Sequence, residues 1–314
     1  MRLLFCEEGE KSMIRFSFVI CTYNREKYVG ESLQSICMQA FEKDAFEVVL
    51  VDNNSPDDTK GVFDRVASEY PSVTMRHILE TNQGISHARN RGVKEAAGEY
   101  IVFIDDDETI DTFYLEKLNG YINTYPEIEL GATPVLPVYE TEEPKWMSHY
   151  TKRLITGYYH KGNKVKLVDA GDYPGTGHAI IKKELFGRFG DFNTDLGRKG
   201  GSLMGAEDKD MFLRLIENNI KCYYLPDIPI YHHIPAGKLT DDFFQRLTYS
   251  IGKSERIRTK AISQKVFRNR LLSECKKWIG SIILFFGYTI ILSPGKGWKL
   301  LQFRWNVSKG FLGY

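Results

Sequence analysis

Several things are missing from this sequence, and each absence excludes a class. No GxGxxG follows the first strand-like run and no Walker A pattern occurs, which disfavours a dinucleotide-binding Rossmann domain and P-loop chemistry. The five cysteines (Cys6, Cys21, Cys37, Cys222, Cys275) show no CxxC or metal-ligand spacing. Their odd number and scatter suit reduced thiols in a cytosolic compartment. Net charge is only +1, so no global field points to nucleic acid. No internal repeat is visible. The opening MRLLFCEEGEKSM has too short an apolar run, and too many acids after it, for a signal peptide. Residues 1–14 therefore read as an extension.

What is present is ordinary in bulk: 314 residues, 42% hydrophobic and 26% charged, enough for one large globular domain and an appendage. The informative stretch is Tyr100-Ile-Val-Phe-Ile-Asp-Asp-Asp-Glu108. Its short β-branched and aromatic run predicts a strand buried on both faces, as in parallel sheets covered by helices. Ligands of such sheets bind at the carboxyl ends of the strands, where the three carboxylates fall. Alternation along a strand would point Asp105 and Asp107 the same way. Converging carboxylates repel unless a cation lies between them, and Mg²⁺ or Mn²⁺ suits oxygen ligands. A solvated acidic turn is the plainer alternative.

Upstream, strands are predicted at Phe16–Thr22, Phe46–Val51 and 73–79, with helices over 26–38, from Ser55-Pro56 to about residue 70, and over 85–97. This alternation predicts an α/β fold with a doubly wound, mostly parallel sheet and helices on both faces. Polar or acidic residues close three of these strands: Thr22 with Tyr23, Asp52, and Asp105 to Asp107. Downstream, a helix is predicted over 111–125, a strand over 130–136, and a strand entered through glycines at Gly175–Ile181. Residues 137–172 defy assignment. Gly205-Ala-Glu-Asp208 opens a helix to about 218, and short strands are predicted at Cys222–Leu225 and Ile228–His232.

From residue 241 the pattern turns helical. Trp278 to Leu292 are 15 residues without a charge. At about 1.5 Å each they reach about 22 Å, short of the roughly 30 Å of bilayer hydrocarbon. Lys276, Lys277, Lys296, Lys299 and Lys309 flank the run, with Trp298, Phe303, Trp305 and Phe311 beside them. Such a helix suits an in-plane membrane anchor, or packs on the rest of the chain or a partner.

Taken together, four motifs resemble glycosyltransferase family 2, the inverting enzymes of the GT-A fold in its non-processive bacterial form. They are Phe18-Val-Ile-Cys-Thr-Tyr-Asn-Arg25, Val49-Leu-Val-Asp-Asn-Asn-Ser55, Asn82-Gln-Gly-Ile-Ser-His-Ala-Arg-Asn-Arg-Gly92, and the acidic pair of segments Asp105-Asp-Asp107 and Gly205-Ala-Glu-Asp208. The resemblance implies a domain over 15–240, split into a nucleotide-binding half (15–110) and an acceptor half (111–240), followed by a helical region over 241–314. It implies donor contacts from Thr22, Tyr23, Asn24, Asp52, Asn82, Gly84, Arg89, Asp105 and Asp106. Asp52 would meet a uracil-like base, or serve only as an Asx-turn residue. The metal set would be Asp105, Asp107 and His232, with His233 as a rival and Lys238 as a phosphate contact. Asp208 would be the base that inversion requires, with Glu207 orienting the acceptor. A favourable acidic pair at a helix N-terminus is the bland alternative for these two.

The resemblance further implies one sugar moved from a nucleotide-sugar, with a lean to UDP, to a glycan or lipid-linked glycan acceptor. The setting would be the cytoplasmic face of a bacterial inner membrane, in surface polysaccharide or glycoconjugate synthesis. Processive relatives carry Gln-x-x-Arg-Trp, whereas in Leu301-Gln-Phe-Arg-Trp305 the glutamine stands one residue too close. Two other classes stay open at this stage. A sugar-1-phosphate nucleotidyltransferase needs glycines after the first strand, which Thr22–Glu26 lacks. A non-catalytic glycan-binding subunit fits less well with Asp105, Asp107 and Asp208 all present.

Overall fold

The computed structural model describes residues 14–169, 171–200 and 202–314. Of the expected N-terminal extension only Ile14 falls among them, and Cys6 and Gly201 lie outside the described residues.

Strands β1 (Phe16–Thr22), β2 (Phe46–Asp52), β3 (Thr74–Leu79) and β4 (Tyr100–Phe103) pair in parallel in the order β3-β2-β1-β4. Every residue of β2 and β4 is buried, as their apolar runs demand. Helices α1 (Val29–Cys37) and α2 (Thr59–Glu69) share one core with Phe16, Phe18, Phe46 and Val48. Helix α3 (Ile85–Glu95) shares the other with Val19, Val49 and Ile101, so the sheet is covered on both faces. A side chain at Gly92 of α3 would strike Val19, which is how that helix lies so close to β1.

The chain then builds β5 (Glu108–Ile110), α4 (Tyr114–Thr124), β6 (Leu130–Ala132), β7 (Val135–Tyr139), α5 (His149–Thr156), β8 (Lys166–Leu167), β9 (Ala179–Lys182), α6 (Glu184–Phe189), α7 (Glu207–Glu217), β10 (Cys222–Tyr224) and β11 (Ile230–Ile234). The main sheet continues β4-β9-β6-β10-β8, with β9 antiparallel to both its neighbours. A second sheet orders β5-β11-β7.

Three local expectations need correction. The strand over 130–136 is two strands in two sheets, divided at Thr133-Pro134. The segment entered through Gly175 makes a 3₁₀ turn at Thr176–His178 before β9 begins. Ser55 does not start α2, which opens at Thr59. Its hydroxyl instead accepts from the Asn24 amide, and its own amide donates to Asp52.

The last 74 residues are three helices: α8 (Asp241–Ile262), α9 (Gln264–Ile290) and α10 (Pro294–Leu312). A Cβ on Gly252 would collide with the Val307 carbonyl, and one on Gly310 with the Tyr249 carbonyl, so two glycines let α8 and α10 touch backbone to backbone. Phe244, Leu247, Phe303 and Val307 pack with Met147 and Ile155, joining these helices to α5. Lys299 is not a flanking surface charge. It is buried, pairs with Asp241, and lies over the rings of Trp146 and Phe244 at 4.7 and 4.6 Å. Phe303 and Phe311 are also buried, so of the four flanking aromatics only Trp298 and Trp305 are exposed. On α9, Leu272, Ile279, Ile283, Phe286 and Ile290 stand exposed at spacings that form one helical stripe. Among the described residues no helix is long and apolar enough to cross a membrane.

Candidate active site

The carboxyl ends of β1, β2 and β4 open onto a cavity of about 340 Å³. Strand β4 stops at Phe103, and Asp106 and Asp107 lie in the turn that follows. The strict alternation expected of Asp105 and Asp107 therefore does not reach them. The Asp105 amide donates to Glu108, and the Glu108 amide donates back to the Asp105 carbonyl, closing the turn. The Asp105 carboxylate lies against Gly177, where a Cβ would press on its oxygens. The glycines before β9 thus admit a side chain of this chain.

Asp107 turns elsewhere. Its Oδ1 lies 3.3 Å from His232 Nε2, and its Oδ2 accepts from Lys238 Nζ at 2.7 Å. His232 Nδ1 faces the Thr156 carbonyl at 2.8 Å. A carbonyl only accepts, so Nδ1 carries the proton and Nε2 presents a lone pair. That lone pair and the Asp107 carboxylate face each other and need a cation between them. Lys238 Nζ, 3.1 Å from Nε2, supplies it. Burial alone would raise the Asp107 carboxyl, but the Lys238 ammonium outweighs it and holds it well below the usual range. A carboxylate and an imidazole fixed by a carbonyl behind it are donor types that a divalent ion takes, and here an ammonium lies between them. Asp105 does not join these two, and among the described residues no three His, Cys, Asp or Glu side chains converge as one shell. His233 bonds to Thr109 instead. Asp106 is buried 3.8 Å from Arg25 Nε. Burial and the adjacent Asp107 push its carboxyl up to about 7, against the pull of Arg25.

The acidic pair opens α7. Ala206, just before it, has φ +83°, a left-handed conformation costly for a residue with a Cβ. This bend aims the first turn of α7 into the cavity. Asp208 Oδ1 accepts from Arg89 Nη1 at 2.7 Å and from the Thr176 hydroxyl, while Oδ2 accepts from the Thr176 amide at 3.2 Å. The same Arg89 nitrogen lies 2.9 Å from Glu207 Oε1. Arg89 is buried and lies over the Phe192 ring. Arg89, expected against the donor, lines the cavity, and its charge is paired with the two acids. Burial works against that charge, and Asp208 and Glu207 more than restore it. Glu207 is buried, and among the described residues its Oε2 has no partner. Burial and Asp208 push its carboxyl up to about 7, against Arg89.

Asp208 and Arg198 line this cavity and two more, of about 390 and 410 Å³, on the side away from β1. Of the expected donor residues, Thr22, Tyr23, Arg89, Asp105 and Asp106 line the first cavity, and Asn24, Asp52, Asn82 and Gly84 do not. Asp52 behaves as the Asx-turn alternative predicts: one oxygen accepts from the Ser55 amide and the other faces His77 at 3.3 Å. Asn24 and Gly84 shape loops with φ of +57° and +143°. Asn53, which sequence reasoning passed over, braces that second loop: its amide donates to the Glu80 and Asn82 carbonyls and its oxygen accepts from Gly84. Arg25, Asn53 and Gln83 all line the cavity and sit inside the quoted motifs, so their position was the available signal. Arg198, between Gly197 and Gly200, carried none.

The profile of glycosyl transferase family 2 matches residues 17–188. The glucosyl-dolichyl phosphate glucuronosyltransferase of Haloferax volcanii is 27% identical over 209 residues, 65% of this chain and 64% of that protein. The poly(ribitol-phosphate) beta-N-acetylglucosaminyltransferase TarS of Staphylococcus aureus is 36% identical over 114 residues, 36% of this chain and 20% of its own. The chain thus spans less than two thirds of either relative. In structure it resembles the mannosyltransferase PcManGT of Pyrobaculum calidifontis, solved with GDP-Man and Mn²⁺ (TM-score 0.65, 20% identity, 95% of this chain and 87% of that one). It also resembles S. aureus TarS 1–349 with UDP-GlcNAc (TM-score 0.54, 20% identity, 95% and 92%). These likenesses establish the GT-A fold, and the profile, covering more than half of the sequence, establishes that the chain belongs to glycosyl transferase family 2.

Proposed function

We propose that this chain transfers one sugar, with inversion, from a UDP-sugar to a glycan acceptor, using Mn²⁺ or Mg²⁺. One observation carries the reading: Asp208, aligned by Arg89 and Thr176, stands where the cavity at the strand ends meets two others. A donor in the first cavity and an acceptor in either of the others would meet at that carboxylate. Asp208 takes the proton of the acceptor hydroxyl, whose oxygen attacks the anomeric carbon from the face opposite the diphosphate. The carbon–oxygen bond to the diphosphate breaks and UDP leaves. A divalent ion held by Asp107 and His232 would neutralise charge on the departing diphosphate. Lys238 supports the same charge from beside them, and Asp105 and Asp106 lie nearer the ribose. Glu207 orients the acceptor.

Residues 15–240 are the transferring unit, 15–110 serving the donor and 111–240 the acceptor, and 241–314 form the helical region. The apolar stripe of α9, with Trp298 and Trp305 exposed nearby, rests on the cytoplasmic face of the membrane, where the chain extends a surface glycan. The lean to UDP is supported by the TarS structure, which holds UDP-GlcNAc, while PcManGT holds GDP-Man. Thermal denaturation with UDP, GDP and their sugar derivatives, each with and without Mn²⁺, tests the donor. UDP with metal is expected to raise the melting temperature most, because a ligand of the folded state alone stabilises by mass action. No metal-dependent stabilisation by any nucleotide would sink the reading. Donor binding without transfer to any acceptor would favour the glycan-binding subunit.

A further inference from the structure

Beyond Asp208, the cavity of about 410 Å³ runs between α7, α8, α9 and α10. Its polar wall has more positive than negative charge. Glu255 pairs with Lys209 at 2.7 Å, Arg258 at 3.0 Å and Arg270 at 3.0 Å. Glu274 pairs with Arg270, with Lys277 at 3.4 Å and with Arg304 at 3.5 Å. Five cations thus surround two carboxylates, and all but Lys277 are largely withdrawn from water. An excess of cations in such a place is costly unless an anion joins them. Burial, then the neighbouring arginines, lower the affinity of Lys209, Lys277 and Arg304 for their protons, in keeping with a missing negative partner. The opposite wall is apolar, with Leu247, Ile251, Phe303 and Val307. At the outer edge stands half-exposed Lys277, within one turn of Ile279, where the apolar stripe of α9 runs on.

We propose that this cavity is a subsite for the phosphate of an acceptor carried on a lipid, with the phosphate held by Lys209, Arg270, Lys277 and Arg304 and the apolar tail leaving along α9. The inference rests on the transfer reading above, since Asp208 lines the same cavity and would meet a hydroxyl on the sugar next to that phosphate. Forked guanidinium groups and lysines together are the donor set that phosphate oxygens take best. The exposed stripe selects a lipid-borne phosphate over a soluble phosphate polymer, because a polymer has nothing to lay on it.

The test uses the full chain saturated with UDP and Mn²⁺, so that the donor cavity is occupied, and titrates farnesyl monophosphate by calorimetry. Farnesyl monophosphate should bind more tightly than farnesol or inorganic phosphate. The double variant Lys277→Gln/Arg304→Gln should weaken it by about tenfold or more, the scale of a lost charge-assisted hydrogen bond. Lys277→Glu, at a half-exposed position that cannot decide folding, should weaken it as well. The charge-matched control Lys265→Gln/Arg268→Gln, two exposed residues of α9, should change it by no more than about twofold. Affinity that survives both Lys277 variants overturns the site. A short poly(glycerol phosphate) that binds as tightly as farnesyl monophosphate overturns the lipid assignment and points to a phosphate polymer. If UDP itself fails to bind, the donor reading has failed, and the titration without UDP still decides this one.

Discussion

Arg89 Nη1 lies 2.7 Å from Asp208 Oδ1, and this bond decides how the acid works. The arginine cannot lose its proton, so it gives Asp208 a permanent charge-assisted hydrogen bond that orients it toward the cavities it lines. Asp208→Asn should cut transfer by about a hundredfold or more, the scale of a lost general base. Donor affinity should hardly change, because the base meets the acceptor and not the diphosphate. Steady-state kinetics beside UDP-sugar titrations separate the two quantities. Full transfer by the variant, with loss on Glu207→Gln, would mean that the two acids have exchanged roles.

Glu207 carries a pH signature. Its folded carboxyl is pushed up to about 7 from an ordinary value of 4.5. The folded state therefore holds this proton more tightly than the unfolded state. The stability it contributes is fully present below about 4.5 and is lost as pH rises through about 7. Glu207→Gln removes the titration. The variant should gain on the wild type between pH 5 and pH 8, by at most roughly 3 kcal/mol. Urea unfolding at the two pH values reads this directly. A difference between the proteins that stays constant with pH would show that Glu207 ionises normally.

Much of this was readable beforehand, and what was not has physical causes. Strands β1, β2 and β4 are short buried runs between polar turns, and their pattern is strong because nothing else competes for it, while β3 at the sheet edge has no buried residue. The antiparallel insertion of β9 between β4 and β6 left no trace in Ala179–Lys182, since pairing direction does not alter an apolar run. Arg89 was readable as a site residue but not as the partner of Glu207 and Asp208, which lie more than a hundred positions away in sequence. Lys299 looked like a surface charge until the fold placed it over Trp146 and Phe244. The five cations around Glu255 and Glu274 come from α7, α8, α9 and α10, and only the packing of those helices gathers them.

The Asp107, His232 and Lys238 cluster makes a second prediction about metal. Asp107→Asn should nearly abolish transfer and weaken UDP-sugar binding chiefly when Mn²⁺ or Mg²⁺ is present, unlike Asp208→Asn. Lys238→Gln should instead raise the affinity for Mn²⁺ alone, because the ammonium occupies the space between the two ligands. Electron paramagnetic resonance of free Mn²⁺ counts the bound ion without any turnover. Equal Mn²⁺ binding by the wild type and both variants would remove Asp107 from the metal assignment.

The stripe on α9 tests the membrane contact. Ile283 and Phe286 are 65% and 60% exposed, so neither supports the fold. Truncating the chain near Arg270 would be a poor test, since it strips Phe303 and Val307 from the core they share with Phe244 and Leu247. Ile283→Glu/Phe286→Glu leaves that core intact and puts two charges where acyl chains would lie. Wild-type protein should sediment with phosphatidylglycerol vesicles, and high salt should release little of it, because apolar burial is not screened as charge contacts are. The double variant should stay in the supernatant with an unchanged melting temperature. If salt alone frees the wild type, lysines such as Lys276 and Lys309 hold it and the stripe does not. If wild type and variant sediment equally, the stripe faces something other than lipid.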